Sequence, residues 1–300
     1  MGAVAVAALG TAAVLDLVFE EFPRRIHPVA LFGRLVGQFD RSWSHPKSVG
    51  AVVALALPLG AAAIGGGLTA LADSLHPLVG GLVVALALFA TTSLRMLLSV
   101  AADVVGTIET DPERARTTIR GLVGRDTATL SAGELRSAVV ESIAENLADG
   151  LLAPLLAFAL GVQLSLPVAV AAAIWVKAVN TLDSMLGYRS KRVGWASARL
   201  DDAVMWLPAR LSAVLVALAG GSPIALARAR RWHGEPSSPN SGWPMAAMAA
   251  VLDVELRKPD AYVLNPDAGL PTTADARRGL RVIALAGAVA VLLTGVAAWC

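Results

Sequence analysis

The chain is short of charge, of cysteine and of aromatic rings, and each shortage removes a class of protein. Charged side chains make up 16% of the 300 residues, against about 25% in ordinary soluble domains. With 56% hydrophobic residues and a mean hydropathy of +0.64, a soluble globule is excluded, because the apolar residues lie in long uncharged blocks of the kind that cross bilayers. The lone cysteine, Cys300, rules out an intrachain disulfide and is expected to be a lipid-side thiol of no consequence. Net charge is only +2 and aromatics are 5%; no lysine-rich patch is interleaved with aromatics, so nucleic acid is not an expected partner. His27, His45, His76 and His233 show no zinc spacing. Walker A, GxGxxG and nucleophile-elbow motifs are absent, so any nucleotide would be held by something other than a P-loop.

A spanning helix needs about 20 mostly apolar residues. Residues 1–19, 49–72, 78–100 and 281–299 qualify. The run at the amino terminus lacks a basic n-region and carries Asp16, so it reads as a retained membrane segment. The block 151–179 is too long for one span, and GVQLSLP at 161–167 interrupts it, which predicts a hairpin or re-entrant pair. Residues 203–221 contain Pro208 and Arg210, leaving a full crossing open. The expected fold is all-α: a polytopic α-helical integral membrane protein, one membrane domain over 1–300, with short or re-entrant helices and cytoplasmic helical and loop segments.

Lysine and arginine crowd into residues 20–48, 101–150, 180–202 and 222–280, whereas DSLHP at 73–77 has neither. By the positive-inside rule these four segments are expected on the cytoplasmic side of the cell membrane, together with the active face. Trp195, Trp206, Trp232 and Trp243 are read as interfacial belt residues.

Three polar clusters adjoin the apolar blocks. In ESIAENLADGLLAPLLAF, residues 141–158, Glu141, Glu145 and Asp149 recur every fourth residue, on a helix begun by the capping-box pair Ser131 and Glu134. Helical residues four apart share a face, and like charges there repel by a few tenths of a kcal/mol per pair, about 0.2–0.5. A hard cation would remove that penalty; a solvated acidic face is the alternative. VNTLDSMLGYRSKR, residues 179–192, supplies Asn180, Asp183, Arg189, Lys191 and Arg192. ARLDDAVMWLPAR, residues 198–210, supplies Asp201 and Asp202 between Arg199 and Arg210. Carboxylates interleaved with arginines beside hydrocarbon call for partners or ions. Carboxylates bind Mg²⁺, the metal bridges phosphate, and arginine clamps the remaining oxygens. Salt bridging, as between Asp202 and Arg210, is the alternative.

With these motifs on the page, the chain resembles the cobalamin-biosynthesis CobD/CbiB family, the adenosylcobinamide-phosphate synthases. The resemblance runs through DLVFEEFPRRIHPVALFGRLV, GRDTATLS, VESIAENLADGLLAPL, VNTLDSMLGYRS, ARLDDAVMWLPARLSA and SPNSGWPMAAMAAVL, in the family's order and over nearly the whole chain. Leu147 and Ala148 stand where the family usually has a Thr-Ser-like pair, Met205 where Asn is usual, and Met245 where an acidic residue is common.

The resemblance implies a membrane ligase of the late corrin pathway that joins adenosylcobyric acid to (R)-1-aminopropan-2-ol O-phosphate through an amide, using ATP and Mg²⁺. On that reading Glu145, Asp149, Asp183, Asp201 and Asp202 carry the chemistry and, with Glu141, hold Mg²⁺. Arg125, Arg189, Lys191, Arg192 and Arg210 would take phosphates, and Asn146, Asn180 and Asn240 neutral hydrogen bonds. Partners would be the two substrates, ATP and the bilayer, with room for other corrin-pathway enzymes. Two other readings stay open from the residues: a Mg²⁺-dependent membrane transferase of a diphosphate or CDP-alcohol, and a non-catalytic scaffold or transporter of the pathway.

Overall fold

The computed structural model describes residues 1–124, 126–188 and 190–300. In chain order the helices are α1 (Gly2–Phe19), α2 (Pro28–Gly37), α3 (Pro46–Leu75), α4 (Pro77–Thr91), α5 (Arg95–Thr107), α6 (Pro112–Thr118) and α7 (Ala132–Leu147). There follow a five-residue π turn (Ala148–Leu152), α8 (Ala153–Gly161), α9 (Leu166–Leu186), α10 (Trp195–Val204), α11 (Trp206–Ala219), α12 (Ala225–Ala229) and α13 (Gly242–Leu252). A hairpin of β1 (Leu256–Lys258) and β2 (Tyr262–Leu264) precedes α14 (Thr273–Trp299).

The protein is an all-α polytopic membrane protein. Among the described residues, six segments are long and apolar enough to cross a bilayer: Gly2–Phe19, Pro46–Leu75, Pro77–Thr107, Ala132–Gly161, Leu166–Leu186 and Thr273–Trp299. The region of the expected hairpin at 151–179 holds α8 and α9, joined by the short turn after Gly161. Each belongs to a segment of crossing length. The acidic stripe lies within Ala132–Gly161, where Ala138–Val140 before Glu141 and Ile143–Ala144 after it are apolar and buried. α10 and α11 are interrupted at Met205 and reach crossing length only as one bent pair.

The chain forms two compact units, each discontinuous in sequence. The first comprises Met1–Ser93, Asp149–Met205 and Val291–Cys300. Its centre is α9, against which α3, α8 and α10 pack. Small residues let these backbones close up, as membrane helices require: a β-carbon at Gly66 of α3 would sit 3.1 Å from the Pro167 carbonyl oxygen of α9. Ser165 caps α9 by accepting from the Val168 amide. On the outer face of α3, Leu55, Leu59, Leu68 and Leu71 are exposed, an apolar surface suited to lipid.

The second unit comprises Leu94–Ala148 and Trp206–Ala290. Here α13, buried along its whole length, packs on α11, α12 and α7. Ser131 and Glu134 form the predicted capping box at the start of α7. The hairpin pairs antiparallel, Leu256 with Leu264, and is tied to α7 where the Arg257 amide donates to Ser137 Oγ at 2.8 Å.

Candidate functional site

Within the first unit, three separate stretches bring their carboxylates together. The π turn contributes Asp149, α9 contributes Asn180 and Asp183, and α10 contributes Asp201 and Asp202. Asn180, buried, is the neutral polar neighbour shared by Asp149 and Asp201. Asp201 faces both Asp149 and Asp183, and Asp183 faces Asp202. The local fold follows from glycine. A β-carbon at Gly194 would lie 1.7 Å from the Leu186 carbonyl oxygen, so only glycine lets the chain double back beside the end of α9 and launch α10 there. At Gly187 a β-carbon would lie 1.8 Å from Asp183 Oδ1. The carboxylate fills the space where that side chain would be.

The electrostatics are unfavourable without a ligand. Two like charges 4 Å apart repel by roughly 4 kcal/mol at an effective dielectric near 20. Asp202 has a partial counter-charge in Arg199, at 3.3 Å. Asp183 Oδ1 and Asp201 Oδ1 are buried and accept no hydrogen bond. Buried acceptors without donors are destabilising, and this pair marks where a positive ligand would be stabilised.

Three further residues of this unit lie beside the cluster. Lys177, three residues before Asn180 on α9, is within electrostatic reach of Asp149 and Glu21. His27 accepts at Nδ1 from the Val29 amide, capping α2, and turns Nε2 to Glu21 at 3.8 Å. Burial holds the His27 imidazole below its usual pKa; Glu21 pulls the other way and Lys177 adds to the depression. The sequence reading made nothing of Lys177. Its signal was available: a lone lysine in an apolar run, where insertion is penalised by about 2.5–3.5 kcal/mol.

The other residues expected at the site have the following surroundings. Glu141, grouped with Asp149 in one stripe, belongs to the second unit. Its buried carboxylate accepts from Ser137 Oγ at 2.7 Å and from the Tyr262 hydroxyl at 2.6 Å, and so braces the hairpin. The 3.6-residue register that defined the stripe ends at Leu147, where the π turn begins; such turns recur at functional sites. Glu145 and Asn146 are also in the second unit, with Asn146 donating back to the Ser142 carbonyl at 3.0 Å. Arg210 donates to Asn240 Oδ1 at 2.5 Å and to the Trp206 carbonyl at 2.9 Å, its guanidinium over the Trp206 and Trp243 rings. Trp243, read as a belt residue, packs on His233 with ring centroids 4.1 Å apart. Lys191 is engaged by Asp40 at 2.7 Å and the Met185 carbonyl at 3.0 Å, while Arg192 is exposed. Arg125 and Arg189 lie outside the described residues.

Among the described residues, no group of three or more His, Cys, Asp or Glu side chains is arranged to hold a metal ion by itself. Magnesium does not need such a cage. It takes one or two carboxylates, keeps several waters and completes its shell with phosphate oxygens. Asp183 Oδ1 and Asp201 Oδ1, the two buried carboxylate oxygens without donors, are the ones such an ion would take.

Comparison with known proteins agrees with the motifs. The profile of the CobD/Cbib protein family matches residues 9–292. A cobalamin biosynthesis protein CobD of Geobacter metallireducens is 39% identical, over 94% of this chain and 90% of the relative. One of Mycobacterium tuberculosis is 37% identical, over 93% and 92%. The cobalamin biosynthesis protein CbiB of Salmonella arizonae is 33% identical, over 90% and 87%. No solved structure matches. The family's matched length takes in all three stretches that form the acidic cluster, and the chain belongs to the CobD/CbiB family.

Proposed function

We propose that this protein serves cobalamin biosynthesis as an ATP- and Mg²⁺-dependent amide ligase. It would join adenosylcobyric acid to (R)-1-aminopropan-2-ol O-phosphate and release adenosylcobinamide phosphate. The observation that carries the proposal is the convergence of Asp149, Asp183, Asp201 and Asp202 about Asn180, with two buried carboxylate oxygens lacking donors.

A carboxylate does not condense with an amine at neutral pH, because hydroxide is a poor leaving group. In the proposed sequence one oxygen of the corrinoid carboxylate attacks the γ-phosphorus of ATP. The bond to the β–γ bridging oxygen breaks, ADP departs, and an acyl phosphate forms. The amine nitrogen then attacks the acyl carbon, the C–O bond breaks with its electrons leaving on phosphate, and the nitrogen's proton passes to a carboxylate of the cluster. Phosphoryl transfer asks the protein mainly for positioning and charge neutralisation. Asp183 and Asp201, supported by Asp149 and Asp202, would hold Mg²⁺, which when bound neutralises charge on the phosphoryl oxygens. Asn180 orients two of these carboxylates without adding charge. The apolar packing of α3, α8 and α9 excludes bulk water from their roots, which protects an acyl phosphate from hydrolysis.

The test is reconstitution. Purified protein in liposomes receives adenosylcobyric acid, the amine phosphate, ATP and Mg²⁺, with each omitted in turn, and mass spectrometry reports the product. Amide formation that requires all four supports the proposal, as does its loss in a folded Asp183→Ala variant. Product formed without ATP, or normal turnover of that variant, overturns it.

A further inference from the structure

The polar face of α9 extends beyond the acidic cluster. Lys177, Asn180 and Asp183 follow one another at intervals of three residues, so they share one side of the helix. At about 1.5 Å per residue, Lys177 stands roughly 9 Å along the axis from Asp183. It is the one cationic side chain in α9. Asp149 and Glu21 lie within electrostatic reach of its ammonium, and it in turn acts on His27. Yet among the described residues its ammonium has no hydrogen bond and no ion pair. Three N–H donors are therefore unspent. The other described basic groups of this unit are occupied or on its surface: Lys191 by Asp40, Arg199 by Asp202, Arg41 on the Trp43 ring, and Arg24, Arg25, Arg34, Lys47 and Arg192 exposed.

One unspent cation beside two carboxylates is the complement of a small zwitterion. A simple anion would meet repulsion from Asp149 and Glu21, and a simple cation would meet Lys177. A molecule carrying both signs a few ångströms apart satisfies both. We propose that Lys177, Glu21 and Asp149 form the subsite for a small primary amine bearing a phosphate ester, Lys177 receiving the phosphate oxygens and the carboxylates the ammonium. This rests on the ligase reading for the identity of the ligand, and it orients the amine toward the end of α9 that carries Asp183. His27, turned toward Glu21, lies within electrostatic reach of Lys177.

The experiment measures binding to the full-length protein in lipid nanodiscs, without ATP or corrinoid, by ³¹P line broadening and calorimetry. The probes are 1-aminopropan-2-ol O-phosphate, amine-free isopropyl phosphate, and phosphate-free 1-aminopropan-2-ol. The zwitterion should bind at least roughly tenfold more tightly than either half. Lys177→Met should weaken both phosphate-bearing probes by roughly tenfold or more, as loss of a charge-assisted contact predicts. Glu21→Gln should weaken only the amine-bearing ones. Lys177→Arg, which keeps the charge should the methionine variant misfold, should retain binding of the zwitterion within about threefold. In turnover, Lys177→Met should raise KM for the amine phosphate and leave KM for ATP unchanged, a split that a merely structural lysine would not produce. Unchanged binding in the methionine variant, or isopropyl phosphate binding as tightly as the zwitterion, overturns the subsite. If no amide product forms but the zwitterion binds as described, the ligase reading fails and the subsite stands; product formation with lysine-independent binding does the reverse.

Discussion

Gly187 and Asp183 share one space: the hydrogen on the glycine α-carbon is where a methyl group would meet Asp183 Oδ1 at 1.8 Å. The carboxylate is the movable partner, because its side chain can rotate whereas the end of α9 is held against the turn at Gly194. Gly187→Ala should therefore displace the Asp183 carboxylate by more than an ångström, with a smaller backbone adjustment because the Asp183 carbonyl oxygen would also stand 2.8 Å from the new β-carbon. On the proposed function, a misplacement of that size lowers turnover about 100-fold. Combining Gly187→Ala with Asp183→Asn should add almost nothing to the loss from Asp183→Asn alone, since both act on one group. Turnover and melting temperature of the two single variants and the double check this.

The carboxylate cluster should trade stability for function. Asp201→Asn removes a charge that faces Asp149 and Asp183 and leaves a group able to donate. In EDTA this variant should melt above the parent by about 2–4 °C per kcal/mol of repulsion relieved, while ligation falls by about 100-fold or more. Mg²⁺ should raise the melting temperature of the parent and not that of the variant. A variant less stable than the parent in EDTA would mean that the cluster is satisfied without a cation.

Much of this was legible in the sequence, and the exceptions have physical reasons. Uncharged runs announced α1, α3 and α14, because burying backbone in lipid demands long apolar helices. Asp149, Asn180, Asp183, Asp201 and Asp202 were each conspicuous as polar groups beside those runs, and they lie together. The 3.6-residue period that puts Glu141 in one stripe with Asp149 is interrupted after Leu147, and no residue pattern marks a π turn in advance. The division into two units was invisible because each is assembled from distant stretches with the same apolar composition. Lys177 belongs to no motif: an isolated charge in an apolar run carries its information only through its insertion cost.

His27 links the loop after α1 to pH. Its folded pKa is depressed by burial below the ordinary value of 6.5, so the folded state binds fewer protons than the unfolded chain. The stability it contributes is complete above about pH 6.5. It declines as pH falls through that value toward the folded pKa. His27→Asn keeps an acceptor for the Val29 amide at the start of α2 and removes the titration. In detergent, the melting temperature of the parent should fall relative to this variant between about pH 6.5 and 5. Parallel curves for the two proteins over that range would refute the burial of a neutral imidazole.

Glu141 gives the complementary case, a carboxylate supplied with hydrogen-bond donors. Two of them, Ser137 Oγ and the Tyr262 hydroxyl, come from α7 itself and from β2, so the charge ties the hairpin to the helix. Hydrogen bonds to a charged group contribute about 1.5–3 kcal/mol. Tyr262→Phe deletes one and leaves the charge buried, so it should destabilise by that order; Glu141→Gln keeps the shape, removes the charge and should cost less. The double variant should be more stable than the sum of the two losses predicts, because the phenol and the carboxylate act as one pair. Both residues belong to the second unit and brace the hairpin, so the Mg²⁺ concentration that gives half-maximal ligation should stay within about twofold of the parent, a shift of less than roughly 0.5 kcal/mol. A tenfold rise in that concentration for Glu141→Gln would return Glu141 to the set of metal-binding carboxylates.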